Sequence, residues 1–120
     1  MGKSLDVVNG FLATMSEGPA AGEKLAAWLA EDFHFDGPML SAKTRDEFLQ
    51  GMAGMGPMTP RFTMLQQVEH GDAVCSVYEF RKTDGAAPVL MAEWSTVRGQ
   101  QLSAQRLIYD AAQMQAAMAG

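Results

Sequence analysis

The sequence predicts an α+β fold: three N-terminal helices packed in a strongly curved, mixed or antiparallel sheet, with a short C-terminal helix. Two observations within the chain lead there. Apolar residues in the first half recur at helical spacing, whereas from Arg61 onward they alternate as in strands, with glycine-containing turns between the runs. The two kinds of element are also segregated along the chain rather than interleaved, the order of α+β proteins. To bury both sets of apolar faces the strands must curl over the helices, and the resulting cone has an open mouth that forms a natural pocket.

The first helix is marked by Leu5, Val8, Leu12 and Met15, with Ser4 placed to cap it and Glu17-Gly18-Pro19 to end it. A second carries Leu25, Trp28 and Leu29 on one face and stops near Asp32. Phe33-His34-Phe35 then alternates into Asp36 and is broken by Gly37-Pro38, a short strand with both phenylalanines on one face. Thr44-Arg45-Asp46-Glu47 reads as a capping box, in which the Thr44 hydroxyl accepts from the Glu47 N–H and the Glu47 side chain reaches back to Thr44. Phe48, Leu49 and Met52 give the third helix its buried face. Gly51 to Pro60 reads as a Gly/Pro/Met loop. Its Met52, Met55 and Met58 either pack onto the core or form a flexible lip over an apolar ligand.

Four strands follow. Arg61–Glu69 turns at His70-Gly71-Asp72 into Ala73–Lys82, and Asp84-Gly85 leads on to Val89–Val97. The last, Leu102–Tyr109, comes after a turn at Arg98-Gly99. Asp110 opens a terminal helix with Met114 and Met118 on one face. The third of these strands is apolar on both sides, since Leu90 and Trp94 stand opposite Val89, Met91 and Val97. A solvated face would be more polar. The sheet's convex side is therefore expected to meet a second copy of the chain, as a homodimer.

The composition narrows the function classes. The chain has 120 residues, read as one domain over 1–120 with no repeat or linker. A net charge of −5 with nine scattered Lys and Arg argues against nucleic acid. No apolar run approaches the roughly 20 residues of a membrane span. The N-terminus lacks signal-peptide features, and Met1-Gly2 is followed by Asp6 where a myristoylation motif needs Ser or Thr. The expectation is a soluble, cytoplasmic protein. Its single cysteine, Cys75, excludes an internal disulfide and reads as a small buried hydrophobe. No Cys/His metal spacing, glycine-rich phosphate loop or G-x-S-x-G elbow occurs, so neither metal nor cofactor is expected.

Glu93 is the residue out of place. It shares a strand face with Met91 and Ser95, so if those point into the cone the carboxyl does too, and burial would raise its pKa into the range useful for acid–base chemistry. The alternatives are ion pairing with an inward arginine or a place at the wet mouth of the cone; for the first, alternation turns Arg106 away from Gln105 and Leu107. Gln105, Leu107 and Tyr109 line one face of the last strand, with the amide and phenol suited to orienting a ligand's polar end. Met91, Leu107, Phe33, Phe35 and Phe11 are candidate walls. Asp110 is either a helix cap or a second acid. His34 beside Asp36 is a possible acid–base pair, although alternation with the phenylalanines turns both outward.

The stretches LAEDFHFDGPMLSAKTRDEFLQGM, EWSTVRGQQL and QRLIYDAAQM resemble the SnoaL-like branch of the NTF2-like superfamily over nearly the whole chain. The resemblance implies a cone-shaped α+β fold with a deep pocket, commonly dimeric. Its members include ketosteroid isomerases, polyketide cyclases and limonene epoxide hydrolases. The positions that carry the isomerase's tyrosine and two aspartates hold Phe11, Gly37 and Glu93 here, so only the last is an acid. Arg106 matches the arginine of the epoxide hydrolase pair, but Leu107 replaces its aspartate. The cyclases pair an acid with a histidine without metal or cofactor, a role that Glu93 or Asp110 with His34 would fill. The expectation is a cofactor-free acid–base enzyme of isomerase, cyclase or hydrolase type acting on a small, mostly apolar carbonyl- or hydroxyl-bearing molecule, or else a non-catalytic binding or accessory homodimer.

Overall fold

The computed structural model describes residues 3–119, which leaves the Met1-Gly2 start outside it. Helix α1, Lys3–Met15, buries Val7, Val8, Phe11 and Leu12. Ser4 lies within its first turn rather than capping it, and the Ser4 hydroxyl donates to the Gly71 carbonyl at 3.0 Å. The Glu69 carboxylate accepts from the Leu5 N–H at 2.8 Å, a negative charge on the positive end of the helix. A 3-10 turn, Gly18–Ala21, precedes α2, Glu23–Ala27.

Strand β1, Leu29–Asp36, begins where the sequence reads as helix. The helical spacing of Leu25, Trp28 and Leu29 is overridden by pairing with the last strand: Leu29 is in register with Leu102, whose N–H donates to the Trp28 carbonyl at 2.8 Å. Ser41–Ala42 forms a two-residue strand, β2, that the sequence does not announce. Helix α3, Arg45–Gly54, runs past Gly51 into the expected loop. Gly51 belongs inside the helix because Leu40 lies against it; an added Cβ would stand 2.4 Å from the Leu40 Cδ1. Thr44 caps α3 by accepting from the Glu47 N–H at 3.1 Å, but Glu47 reaches back to the Lys43 N–H rather than to Thr44.

Strands β3 (Arg61–His70), β4 (Ala73–Arg81), β5 (Val89–Arg98) and β6 (Gln101–Ile108) follow, and helix α4, Ala111–Ala119, ends the chain. Two of the hairpins turn on two residues, Gly71-Asp72 and Gly99-Gln100. In each, glycine takes the first central place at positive φ, 58° and 67°, where a side chain would be strained. The six strands form one sheet in the order β2-β1-β6-β5-β4-β3, antiparallel throughout except for β1 beside β6. Register shifts interrupt β1/β6, β3/β4 and β5/β6. Such irregularities bend strands and tighten their twist, which curls the sheet around the helices without closing it.

The core has two parts. α1, β1 and α3 meet in one, where Phe33, Phe35 and Phe48 pack ring against ring with centroids 4.9–6.4 Å apart. Tyr78, Phe80, Val89, Met91 and Met114 form the other. On the convex face Leu65, Val68, Leu90, Trp94 and Ile108 are all more than half exposed. Cys75 is exposed with them, contrary to the buried reading: it pairs with Trp94, while its neighbours Val74 and Ser76 point inward. Among the described residues no helix is long and apolar enough to cross a membrane.

Candidate functional site

Between the two parts of the core lies a cavity of about 230 Å³, bounded by α1, α3, α4 and the concave face of the sheet. Among the described residues, eight methionines and five phenylalanines line it, and only Tyr78, Glu93, Gln105 and Tyr109 bring polar side-chain atoms. The alternation of β5 places Glu93 there: Met91, Glu93 and Ser95 are all buried, with Trp94 turned to the opposite face. Its flanking partners in the sheet are Ser76 of β4 and Leu107 of β6.

Glu93 is 5% exposed, and both its carboxyl oxygens are engaged. The Tyr78 hydroxyl donates to Oε2 at 2.9 Å and the Ser95 hydroxyl to Oε1 at 3.1 Å. Behind Ser95, the Gln105 amide donates to Oγ at 3.1 Å, so the serine's own proton is left for Glu93. Burial pushes the Glu93 carboxyl above the usual carboxylate range, and the hydrogen bonds from Tyr78 and Ser95 offset part of that. Burial also pushes the Tyr78 phenol well up, with the Glu93 charge adding to the effect. The partly buried Tyr109 phenol is raised by burial, offset in part by a hydrogen bond with the Met39 backbone.

Of the residues expected at the site, the structure brings together Glu93, Gln105, Tyr109, Met91, Leu107, Phe35 and Phe11 on the cavity wall. The remaining three lie elsewhere. Phe33 points inward but is wholly buried beneath Phe35 and Phe48, in the core rather than on the wall. His34 is exposed on the outer face, its Nδ1 2.7 Å from the Asp32 carbonyl oxygen. Asp110 is exposed and caps α4, accepting from the Gln113 N–H at 3.0 Å. Arg106 faces outward and pairs with Asp36 at 3.0 Å. Met52, Met55 and Met58 reach the cavity as wall residues. Sequence reasoning missed Tyr78. The signal was its place on the same strand face as Val74, Ser76 and Phe80, opposite the charged Glu79 and Arg81.

The model of the SnoaL-like domain matches residues 8–105. The chain belongs to the SnoaL-like family. No match is found among curated proteins. Several solved structures share the fold of this SnoaL-like protein. An NTF2-like protein of unknown function from Burkholderia pseudomallei superposes with a TM-score of 0.79 at 15% identity, over 100% of both chains. TerC, co-crystallised with polyporic acid, gives 0.78 at 14% identity, covering 98% of this chain and 99% of its own. A hypothetical protein from Catenulispora acidiphila with a ketosteroid isomerase-like fold, in complex with trimethylamine, gives 0.71 at 20% identity, covering 94% and 92%.

Chemically, the cavity of this SnoaL-like protein offers one titratable carboxyl in an apolar chamber, with hydroxyl donors fixing its orientation. A group so placed can take a proton from, or return one to, a ligand that reaches it. Among the described residues no cluster of three or more His, Cys, Asp or Glu is placed to hold a metal ion.

Proposed function

We propose that this SnoaL-like protein takes a small, mostly apolar, carbonyl- or hydroxyl-bearing molecule into the cavity and moves a proton on it with Glu93, in a cofactor-free reaction of isomerase, cyclase or hydrolase type in the cytoplasm. The observation that carries the reading is the Glu93 carboxyl, buried in an apolar wall and held by Tyr78 and Ser95 rather than by a cation. Gln105 and Tyr109 orient the polar end of the molecule, and Phe11, Phe35, Met91 and Leu107 hold the rest. One positioned acid–base group is worth roughly 10²–10⁴-fold in rate. A screen of apolar ketones, enols and alcohols is expected to yield a turned-over compound, with Glu93→Gln lowering kcat by that factor at unchanged affinity. Equal turnover in the variant would remove Glu93 from the chemistry.

A second reading is a non-catalytic binding or accessory homodimer. It is favoured by the positions of His34 and Asp110, both outside the cavity, which leave Glu93 without a carboxyl or imidazole partner there. The apolar convex face supplies the surface through which two copies would pack. Saturable binding without product is its expected result.

A further inference from the structure

We propose that the cavity selects a hydrophobic monoamine, held as its ammonium ion against the Glu93 carboxylate. The proposal rests on the part common to both readings above, that the cavity receives a small molecule, and goes beyond them in naming a charge class.

The charge balance of the wall points there. Among the described residues lining the cavity, Glu93 is the one acid, and no lysine, arginine or histidine joins it. The nearest arginine of the neighbouring strand, Arg106, is committed to Asp36 on the other side of the sheet. An anionic ligand would therefore sit beside a buried carboxyl with no compensating charge, whereas a cationic one supplies the partner that the fold withholds. The hydrogen bonding is matched to a donor. Tyr78 and Ser95 each donate to a different oxygen, so Glu93 is held as an acceptor with lone pairs left over for N–H groups.

The walls suit the rest of such a molecule. The Tyr78 ring stands edge-on to Phe62 at 5.3 Å, and Phe62 lies 6.0 Å from Phe80, so aromatic surface begins at the residue that holds the carboxyl. Ring faces attract cations, and methionine thioethers conform to apolar bodies of varied outline. A cavity of about 230 Å³ has room for a fused bicyclic ring with a short aminoalkyl arm.

The proton balance is simple. Where Glu93 is protonated in the free protein, binding of an ammonium ion releases that proton to bulk water and leaves an ammonium–carboxylate pair; where it is already ionised, nothing is released. The titratable groups facing it are Tyr78 from β4 and Tyr109 beyond β6, both phenols raised above their ordinary value; α1, α3 and α4 present apolar side chains.

Calorimetry with naphthylmethylamine, naphthylmethanol and naphthoate, in buffers of different ionisation enthalpy, tests this. The amine is expected to bind at least roughly tenfold more tightly than the alcohol, since a desolvated ion pair and cation–π contacts are added to the same ring burial. Naphthoate is expected not to bind, and the amine to release up to one proton in mildly acidic buffer. Glu93→Gln is expected to erase the amine's advantage while the alcohol still binds. An alcohol that binds as tightly as the amine overturns the proposal and leaves the ligand pocket standing; no binding by any of the three overturns both. If Glu93→Gln fails to fold, the comparison on the unmodified protein decides alone.

Discussion

At the scale of single residues, Glu93 couples stability to pH. Its folded pKa is raised by burial above the unfolded value of about 4.3. The folded state therefore holds a proton that the unfolded chain has released, and the stability contributed by the site is full below the unfolded pKa and lost as pH rises through the folded one. Unfolding free energies of the unmodified protein and Glu93→Gln between about pH 4 and 8 should show the difference moving against the unmodified protein as pH rises. A difference that moves the other way would mean the carboxyl is held mainly as an anion. Much of this was legible beforehand. Strand alternation alone placed Glu93, Gln105, Leu107 and Tyr109 on one inner wall. Tyr78 and Cys75 were missed, because Ala73, Cys75 and Val77 make the outer face of β4 look apolar too and only Glu79 and Arg81 near its end mark which side is out.

At the scale of elements, the contact between α1 and the residue that ends α2 is set by a glycine. Trp28 lies across α1 at Gly10, where a Cβ would stand 2.3 Å from the ring, and its indole N–H donates to the Thr14 hydroxyl at 2.9 Å. Gly10→Ala would gain up to about 1 kcal/mol of helix propensity but force the ring away, and overpacking costs about 1–3 kcal/mol. Thermal or urea unfolding is expected to show net destabilisation; a stabilised variant would mean that Trp28 moves aside freely. The helices themselves were legible where caps and periodicity agreed, as at Thr44 and Asp110. They were misread where long-range pairing outweighed local spacing: Leu29 fits a helical stripe, yet β6 draws it into the sheet.

At the scale of the whole molecule, the apolar convex face is the surface we propose for the pairing of copies. Trp94 is 59% exposed at the centre of that face, between Cys75 and Arg106 on the adjoining strands. If the homodimer packs there, Trp94→Glu places a charge within the contact, and sedimentation should report the monomer with the fold retained. A monomeric unmodified protein, or a dimer that survives the change, would move the interface elsewhere. Curvature at this scale was legible only in outline: the need to cover the helices predicted it, while the register shifts that produce it leave no plain mark in the sequence.

The lone parallel pairing sets an order of assembly. β1 is followed closely only by the two residues of β2, whereas its long partner, β6, comes after β3, β4 and β5 along the chain. Until β6 arrives, Phe33 and Phe35 have a helix over them and no sheet to belong to. Closing that loop is an entropic cost met before the contacts exist to repay it, the situation that slows folding in proteins rich in distant pairings. A chain halted before the Gly99 turn would carry an unpaired strand edge and exposed aromatic rings, features that favour aggregation.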